Sequence, residues 1–378
     1  MKKILFRKLL LDYMTFFLVA LISASTIIWV FQAVNFLDIM IEDGRDYLVY
    51  INYTLLNFPK IFSKLLPFAT FFTLFYITLK YENSNELIIF WNFGLNKIQF
   101  VNFILKISLI LMIIQIIFTS FIVPVSQDKA RSFLRNSTVN FFGNFIKPQR
   151  FNDTIKGVTI YTEKKDVEGN LYNLYLKKEI NNSDKDFQIT YAKKGIFKEK
   201  NNLPILVLYN GQTITNQNGE VTRFGFSKSD FLLKNFKTNT TLYKKTQELS
   251  TTNLFRCILL IISSKKEILK KTNYNIENCS IENFVNILKE IYKRIFIPLY
   301  IPILMLVPLF LITSSKESEN YTRLKFITFG IGLIFIIFSE TTIRLISDKQ
   351  IFNYWIISIP LLFILFLYLT FYKKFNFN

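Results

Sequence analysis

The sequence predicts an α-helical integral membrane protein with six transmembrane helices and an inserted, extracytoplasmic, antiparallel β domain that is jellyroll-like. Hydrophobic residues make up 51% and aromatic residues 17% of the 378 residues, a composition typical of membrane proteins. Six stretches also reach the roughly 20 apolar residues that a membrane crossing requires. They are residues 13–37, 51–79, 98–125, 295–312, 326–346 and 351–371.

The six spans form two groups of three, and a long polar segment separates the groups. We expect residues 1–125 to hold the first three spans and residues 295–378 to hold the last three. Residues 126–294 are numerous enough to fold around a core of their own. The chain is therefore predicted to have three sequential parts, with the β domain in the middle.

Basic residues in the short loops predict the orientation, because Lys and Arg accumulate on the cytoplasmic side. Eleven basic residues lie on one side and only Arg45 and Lys349 on the other. The eleven are Lys2, Lys3, Arg7, Lys8, Lys80, Lys97, Lys316, Arg323, Lys325, Lys373 and Lys374. We expect a multi-pass protein of the bacterial inner membrane with both termini in the cytoplasm and the large domain in the periplasm.

The middle segment carries short runs with the alternation and the β-branched and aromatic content of strands. The runs are residues 157–164, 171–178, 187–194, 203–210, 211–216, 221–226 and 231–237. Turn sequences separate them, namely Glu168-Gly169-Asn170, Asn201-Asn202, Asn210-Gly211 and Asn218-Gly219. Several short strands without intervening helices favour a sandwich, a jellyroll or an open barrel.

Residues 246–294 lose this strand pattern and are predicted to be a helical return connection. An amphipathic helix is expected from Ile281 to Arg294, leading into the fourth span. Cys257 and Cys279, the two cysteines of the chain, both lie here. They could pair in an oxidising compartment or remain free buried thiols, and the sequence leaves both possibilities open.

The middle segment is also strongly basic. Residues 126–294 hold 29 Lys or Arg and 16 Asp or Glu, which is a net charge of +13 out of +19 for the chain. The general explanation is a Lys- and Asn-rich composition. The more specific one is an anionic partner outside the membrane, such as lipid phosphates.

The residue inventory excludes several functions. The chain has no histidine, which excludes His-based catalytic triads, HExxH zinc sites and most haem ligation. It also lacks the GxxxxGK[ST] sequence that holds nucleotide phosphates. We therefore expect no cofactor, no metal site and no catalytic residue, and any ATP hydrolysis that drives the protein belongs to another chain.

The polar break from Tyr81 to Lys97 is predicted to form a short helix of about 83–94 on the cytoplasmic side. Asn83 and Glu86 have the spacing of a capping box, and Gly94 lies where a helix commonly ends. One apolar stripe at helical spacing is formed by Leu87, Ile88, Phe90 and Trp91. Such a helix is too short to cross a bilayer. It would lie on the membrane surface or fill a groove in a partner protein.

Several cations lie near the outer ends of the spans, where they would suit a phosphorylated lipid. They are Lys60, Lys64, Lys129, Arg131, Arg135 and Arg344, with Lys293 and Arg294 before the fourth span. Glu340 and Arg344 have the spacing of a helical ion pair. The simpler explanation is that the long side chains reach water at the boundary. Lys64 is the deepest of them in sequence and is harder to explain in that way.

The order of these features resembles the LptF/LptG family, also called YjgP/YjgQ, of lipopolysaccharide export permeases. Four stretches carry the resemblance: LNFPKIFSKLLPFATFF (56–72), NSNELIIFWNFGLNK (83–97), FNDTIKGVTIYTEKKDVEGNLYNLYL (151–176) and KEIYKRIFIPLY (289–300). The resemblance covers nearly the whole chain, and the order of the stretches is more specific than any one of them. The Trp29–Gln32 segment and GVTIYTEKKDVEG look closer to the LptF branch than to the LptG branch.

The resemblance implies a non-ATPase subunit of an ABC transporter that extracts lipopolysaccharide from the inner membrane. The implied partners are an LptG-like permease, an LptB-like ATPase dimer, and periplasmic LptC-like and LptA-like proteins. No nucleic acid is implied. In the family, the helix between spans two and three docks on the ATPase. The corresponding residues here are Asn83, Glu86, Leu87, Phe90, Trp91 and Gly94.

This chain departs from the family at the outer end of the first span. Ala33, Val34 and Phe36 stand where some members carry Lys or Arg. We therefore hypothesise that this phosphate contact is replaced by Lys60, Lys64, Lys129, Arg131 and Arg135.

Three functional classes remain to be compared. The transporter subunit is favoured because a paired Lys60 and Lys64 and a capped amphipathic loop have no purpose in a simple anchor. A membrane-anchored periplasmic scaffold is the alternative, and the LptG paralogue of the same transporter is another. An integral lipid-modifying enzyme ranks last, because Glu340 is the one suitably placed carboxylate and it has Arg344 as an expected partner.

Overall fold

The computed structural model describes residues 2–37, 47–136, 146–155, 158–166, 169–180, 183–200, 203–217, 219–232, 244–262, 276, 278–347 and 350–376. Two compact units can be distinguished. The helical unit comprises residues 1–31, 56–129 and 243–378, and the sheet unit comprises residues 32–55 and 130–242. The structure confirms the predicted fold class, which is a helical protein with an antiparallel β sheet inserted between its helices.

Ten α-helices lie within the described residues. They are α1 (Lys2–Asn35), α2 (Tyr47–Asn83), α3 (Glu86–Asn92), α4 (Lys97–Ile117), α5 (Val123–Asn136), α6 (Thr251–Ile262), α7 (Phe284–Ile295), α8 (Tyr300–Leu306), α9 (Tyr321–Leu345) and α10 (Gln350–Asn376). A π-helical turn (Phe118–Ile122) joins α4 to α5. Short 3₁₀ segments lie at Thr246–Glu248, Ile297–Leu299 and Val307–Thr313.

Six of the described helical stretches are long and apolar enough to cross a membrane. They are Lys2–Asn35, Tyr47–Asn83, Lys97–Leu134, Phe284–Thr313, Tyr321–Leu345 and Asn353–Phe375. Each contains or overlaps one predicted span. The first helix begins at Lys2, well before the predicted start of its apolar run, because Lys, Arg and Leu are good helix formers even where the sequence is basic.

The second span continues as a helix through Pro59 and Pro67. A proline has no backbone N–H, so Pro67 leaves the carbonyl of Ser63 without its helical donor. The side chain of Gln115 on α4 supplies one: its Nε2 donates to the Ser63 carbonyl at 2.7 Å and lies 3.2 Å from the Ser63 hydroxyl. Both groups are buried. A polar contact between two spans thus repairs the helix where the proline interrupts it.

The π-helical turn in the third span also has external partners. Thr119 donates its hydroxyl to the carbonyl of Arg294 at 2.7 Å, and Thr251 donates to the carbonyl of Ser120. These bonds attach the third span to the beginning of the fourth span and to α6. A π turn displaces carbonyls from the regular helical pattern, and the bond from Thr251 satisfies one of them where water is absent. The bond from Thr119 satisfies the carbonyl of Arg294 instead.

The six strands form a single antiparallel sheet in sequence order. They are β1 (Phe151–Ile155), β2 (Val158–Lys165), β3 (Leu171–Ile180), β4 (Ser183–Lys200), β5 (Leu203–Gln217) and β6 (Glu220–Leu232). Strands β5 and β6 form a hairpin where the Asn218-Gly219 turn was predicted; Gly219 has φ +86°, and Asn218 lies outside the described residues. Gly169, also predicted in a turn, has φ +82° between β2 and β3.

The predicted division at Asn210-Gly211 is wrong. Residues 203–210 and 211–216 belong to one strand, β5, which passes through Asn210 at φ +50°. An asparagine tolerates this left-handed conformation inside a strand, so the dipeptide produces a local irregularity rather than a reversal. Residues 221–226 and the described beginning of 231–237 likewise form one strand, β6. Strand β1 was not predicted separately, and Asn201-Asn202 and Glu168 lie outside the described residues.

One face of the sheet is covered by its own apolar core. The residues of this core include Val158, Ile160, Leu174, Leu176, Ala192, Leu206 and Leu208. They alternate with outward-facing residues along most of the strands, as a sheet with one buried face requires. The side chains of the second face are described below, because they form a separate surface.

The predicted helical return is confirmed in part by α6 and α7, although α7 begins at Phe284 rather than Ile281. Cys257 and Cys279 form a disulfide, which resolves the two possibilities that the sequence left open. Cys257 is buried in a small cluster with Leu254 and Ile287. The disulfide and this cluster hold the return connection together.

We predict that Gly332→Ala destabilises the helical unit while Gly330→Ala does not. A Cβ at Gly332 would stand 2.0 Å from the ring of Phe71 in the second span, whereas a Cβ at Gly330 meets nothing within 4 Å. Overpacking of this kind costs about 1–3 kcal/mol, and the Gly330 change should gain about 0.5–1 kcal/mol of helix propensity. The free energy of unfolding in detergent micelles measures both. Equal effects of the two changes would contradict this packing.

Candidate functional site: the junction helix

Helix α3, which we call the junction helix, begins immediately after the second span. The chain leaves α2 at Asn83 and turns through Asn85, whose φ of 58° and ψ of 16° are left-handed. The predicted capping box between Asn83 and Glu86 is therefore wrong: Asn83 ends one helix, and Glu86 is the first residue of the next. Asn85 occupies the cap position without a side-chain bond.

The end of the junction helix agrees with the prediction for Gly94. The N–H of Gly94 donates to the carbonyl of Trp91 at 3.0 Å, and the N–H of Leu95 donates to that of Phe90 at 3.2 Å. This pair of bonds is a Schellman motif, and it requires the left-handed φ of +73° that Gly94 adopts. The buried side chains of Leu95 and Phe90 belong to the same apolar cluster, as is usual for this motif.

The inner face of the junction helix is formed by Leu87 and Phe90, which are 1% and 2% exposed. The Phe90 ring lies edge-on to Phe6 at 6.4 Å and to Phe100 at 5.8 Å between centroids. These contacts place the helix between the beginning of α1 and the beginning of α4. Trp91, half-buried, contacts Phe100 at 6.0 Å.

The outer face of the junction helix is also apolar. Ile88, Ile89 and Phe93 are 51%, 45% and 48% exposed. The predicted apolar stripe included Ile88, but the structure turns Ile88 away from Leu87 and Phe90. The chain buries one apolar face of this seven-residue helix and leaves the other exposed. One face anchors the helix, and the other remains available.

Helix α1 holds the junction helix at both ends. Lys8 Nζ lies 2.8 Å from Glu86 Oε2, and Lys2 Nζ donates to the carbonyl of Gly94 at 2.9 Å. The hydrogen bond from Lys8 is the main reason why the pKa of Glu86 lies below its usual value of 4.5, and the Ser84 hydroxyl, at 3.0 Å, acts in the same direction. Glu86 is therefore ionised at neutral pH.

Further contacts connect the junction helix region to the remaining spans. Lys97 Nζ donates to the carbonyl of Ile312 at 3.1 Å and lies 5.8 Å from the centre of the Trp91 ring. The backbone N–H of Lys316 donates to Glu82 at 2.8 Å. The loop between the fourth and fifth spans is thereby joined to the end of α2 and the beginning of α4.

A buried hydrogen bond completes these supports. Tyr81, 1% exposed near the end of α2, donates its hydroxyl to Asp12 Oδ2 on α1 at 2.6 Å. The sequence pattern groups Lys2, Lys8 and Lys316 with the basic residues predicted on the same side as this helix, but it does not predict their contacts with it. The role of Asp12 was missed, and the signal for it is an acid close to the first apolar run.

The predicted boundary cations are divided between the helical unit and the sheet unit. Lys60 and Lys64 lie one turn apart on α2, with Lys60 half-buried and Lys64 exposed. Lys129, exposed, belongs to the helical unit, as does Arg344, which is also exposed. Arg131, half-buried, and Arg135 belong to the sheet unit, and the side chain of Arg135 lies outside the described part.

Two predictions about charged side chains near the spans are wrong. None of the ion pairs between described residues joins Glu340 to Arg344, and both are exposed. Arg294, predicted as a boundary cation, is only 2% exposed. Each of its three side-chain nitrogens donates within the helical unit, to Gln247 O, Leu249 O, Thr251 Oγ1 and Glu290 Oε1. Arg294 therefore supports the return connection.

Comparison with known proteins decides the family. Residues 7–374 match the family described as lipopolysaccharide export system permease LptF/LptG. The chain belongs to the LptF/LptG family. The resemblance predicted from the sequence is thereby confirmed at the level of the family. Membership makes the protein a multi-pass membrane permease of the lipopolysaccharide export system, a non-enzymatic subunit that works with other components of that system.

A relative of this LptF/LptG family chain is a protein of Rickettsia prowazekii (strain Madrid E) that is described as uncharacterized. The two are 23% identical over 335 residues, which cover 88% of each chain. The similarity therefore extends through both groups of spans and the sheet. It adds no information on activity.

We predict that Lys8→Met destabilises the helical unit at pH 7 but not in acid. The depressed pKa of Glu86 means that its stabilising contribution is complete above pH 4.5 and disappears as pH falls through the lowered value. Because Lys8 is 58% exposed, we expect only about 0.2–1 kcal/mol. Free energies of unfolding at pH 7 and pH 3 measure this, with exposed Lys3→Met as the control. A difference of the same size at both pH values would be inconsistent with the pair.

Proposed function

We propose that this chain is the LptF-type half of an ABC transporter that extracts lipopolysaccharide from the inner membrane. It pairs with an LptG-like permease, an LptB-like ATPase dimer supplies the energy, and LptC-like and LptA-like proteins accept the lipid in the periplasm. Family membership supports the substrate and the system. The Trp29–Gln32 segment and the beginning of the β domain support the LptF type, and the rest of the assignment depends on the junction helix.

The single observation that carries the coupling role is the two-faced burial of the junction helix. Leu87 and Phe90 fix the helix to its own chain, while Ile88, Ile89 and Phe93 present an apolar outer face. Short amphipathic helices commonly bind partners by laying such a face in an apolar groove. We propose that the groove belongs to the ATPase, because the basic loops put this end of the protein in the cytoplasm.

The proposed coupling set contains residues with two different tasks. Leu87, Phe90, Trp91 and Gly94 seat the helix and define its end, and Asn83 ends the preceding span. Glu86, paired with Lys8 in the free chain, has a carboxylate that is 24% exposed and can exchange that partner for a cation on the ATPase. Ile88, Ile89 and Phe93 are the additional residues that the structure contributes to the proposal.

The contacts around the junction helix support transmission of force to the spans. A push on the helix reaches α1 through Lys2 and Lys8, and it reaches α4 through the aromatic contacts of Phe90. It also reaches the loop before the fifth span, through the bond between Glu82 and Lys316. ATP-driven movement of one short helix would therefore move several spans together.

Two independent features support the proposed orientation. Basic residues accumulate in the short loops that are predicted on the same side of the membrane as the junction helix. The disulfide between Cys257 and Cys279 belongs to the return connection, on the opposite side of the fourth span, and disulfides persist in oxidising compartments such as the periplasm. We therefore propose that residues 126–294 are periplasmic, between membrane parts formed by residues 1–125 and 295–378.

We further propose that cations at the periplasmic boundary contact the phosphates of the lipid. The set is Lys60, Lys64, Lys129, Arg131, Arg135 and Arg344. Lys64 and Arg344 are exposed on helices long enough to span the membrane, where an unburied charge is costly unless it meets water or an anion. Ala33, Val34 and Phe36 offer no positive charge at the end of the first span, so these cations would take over that role.

We predict that Phe93→Ala and Ile88→Ala weaken association with the ATPase by about tenfold, as the loss of central apolar interface contacts does. Both side chains are exposed, so the chain should still insert and fold. Co-purification from membranes and lipopolysaccharide-stimulated ATP turnover measure the effect. Ile4→Ala, which removes a 70% exposed side chain from α1, is the control.

Glu86→Ala and Trp91→Ala should also lower association or stimulated turnover. Unchanged assembly and transport in all four junction-helix variants would reject the coupling assignment. That result would favour the alternative, a membrane-anchored periplasmic scaffold.

Photo-crosslinking probes at Lys64 and Lys129 should capture lipopolysaccharide several times more strongly than probes at Ile110 and Ile334, because phosphates concentrate at the cations. The two control positions are 57% and 65% exposed on candidate spans and carry no charge. Labelling at the cations no greater than at these controls would refute the phosphate contact.

A further inference from the structure

The second face of the β sheet carries a groove of about 890 Å³. This volume lies within the range of small-ligand sites, roughly 300–1,000 Å³. The groove belongs entirely to the sheet unit. Its lining combines aromatic rings with amides and one lysine, and it also includes Leu174, Ala192 and Phe226 of the apolar core cluster.

Aromatic side chains form a continuous row across this face. Phe151 pairs with Tyr161, Tyr161 with Tyr175, and Tyr175 with Tyr191, on four successive strands. Ring centroids are 5.0 Å apart for Phe151 and Tyr161 and 5.2 Å apart for Tyr175 and Tyr191. Phe151 and Tyr191 are 66% and 43% exposed. The row is thus a ridge of rings with accessible surface, rather than a buried aromatic cluster.

Beyond Tyr191 the aromatic row is followed by residues whose side chains do not fill the groove. Tyr191 pairs with Gln212, and Gln212 pairs with Gly225 on β6. A Cβ at Gly225 would meet nothing within 4 Å. The aromatic row therefore ends in an amide and then in an unfilled position, where a ligand can lie against the backbone.

A polar row runs beside the aromatic row. Asn173, Lys193 and Asn210 are exposed at neighbouring positions on β3, β4 and β5. Asn173 and Asn210 both have left-handed backbones, at φ +51° and +50°, which interrupt the ladder beside the rings. Burial, with the nearby Tyr191 as a second cause, raises the pKa of Tyr175, so its hydroxyl remains a hydrogen-bond donor.

We propose that this aromatic groove binds the saccharide part of the transported lipopolysaccharide, an inference that rests on the proposed function. Aromatic faces stack on the C–H faces of sugar rings, and amides and tyrosine hydroxyls satisfy sugar hydroxyls. Lys193 suits the negative charge of an acidic or phosphorylated sugar.

The lining argues against two other occupants. An acyl chain cannot hydrogen-bond to Asn210, Gln212 or the tyrosine hydroxyls, and covering these groups with hydrocarbon would cost free energy. A peptide adding to the sheet would use β1 or β6, the outermost of the described strands, whereas this groove crosses the face of the sheet.

The test uses the full-length chain in lipid nanodiscs and a water-soluble oligosaccharide released from lipopolysaccharide without its acyl chains. Saturation-transfer difference NMR should show sugar protons close to protein rings. Tyr175→Ala and Tyr191→Ala should each weaken binding by about fivefold, since an aromatic contact contributes about 0.5–1.5 kcal/mol.

Phe224→Ala is the matched control. Phe224 is 69% exposed on β6 and pairs with Thr213, so it lies on the face opposite Gln212 and Gly225. This change should leave oligosaccharide binding unaltered. Equal losses in the control and in the tyrosine variants would overturn the proposed groove.

The failure of this inference can be separated from failure of the transport function. Wild-type chain that co-purifies with lipopolysaccharide but shows no oligosaccharide contact would overturn the groove alone. Displacement of the oligosaccharide by laurate would also overturn it, because an acyl chain would then be the occupant. In a third outcome, the wild-type protein binds the oligosaccharide, both tyrosine variants bind it more weakly, and no lipopolysaccharide co-purifies with the wild type. That result would support a saccharide site and count against the transport function.

Discussion

Burial of Leu87 and Phe90 is the interaction on which the proposed working end of the molecule depends. An isolated helix of seven residues is unstable in water, because nucleation costs more than so few hydrogen bonds return. Burying the two side chains contributes about 1.5–3 kcal/mol each, enough to hold the helix in place. The position of every other residue in this region follows. Glu86 meets Lys8, Gly94 meets Lys2, and Ile88 and Phe93 face outward.

The spans obey a second constraint, the need to satisfy polar backbone groups where water is absent. Pro67 and the π-helical turn each release carbonyls inside long apolar helices. Gln115 donates to the carbonyl released by Pro67, and Thr251 donates to a carbonyl of the π-helical turn. Thr119, within that turn, donates in addition to the carbonyl of Arg294. Irregular points in the helices thereby become the points at which helices are joined. Movement of one span would have to break or carry these bonds, so the spans are coupled through their defects.

The two proposed sites differ in how far sequence could predict them. The sequence predicted that the junction helix exists, that it ends at Gly94 and that it is apolar. A glycine at a helix end and an apolar run are local signals. The predicted start of the helix was wrong, because Asn85 rather than Asn83 makes the turn. Its buried face could not be predicted, because Ile88 and Leu87 are equally apolar and only the neighbouring helices distinguish them. The aromatic groove was missed because its row crosses strands and has no period along the chain.

The sequence by itself determined the family, the six spans and the position of the β domain, because hydropathy, loop charge and turn residues act over short distances. The tertiary structure decided which role each of several chemically similar residues has. Arg294 and Lys64 are both cations near a span, yet Arg294 is 2% exposed with each side-chain nitrogen hydrogen-bonded, whereas Lys64 is exposed. Burial and hydrogen bonding depend on the neighbours that folding supplies. Residues as distant in sequence as Lys8 and Glu86 become partners only when the helices pack.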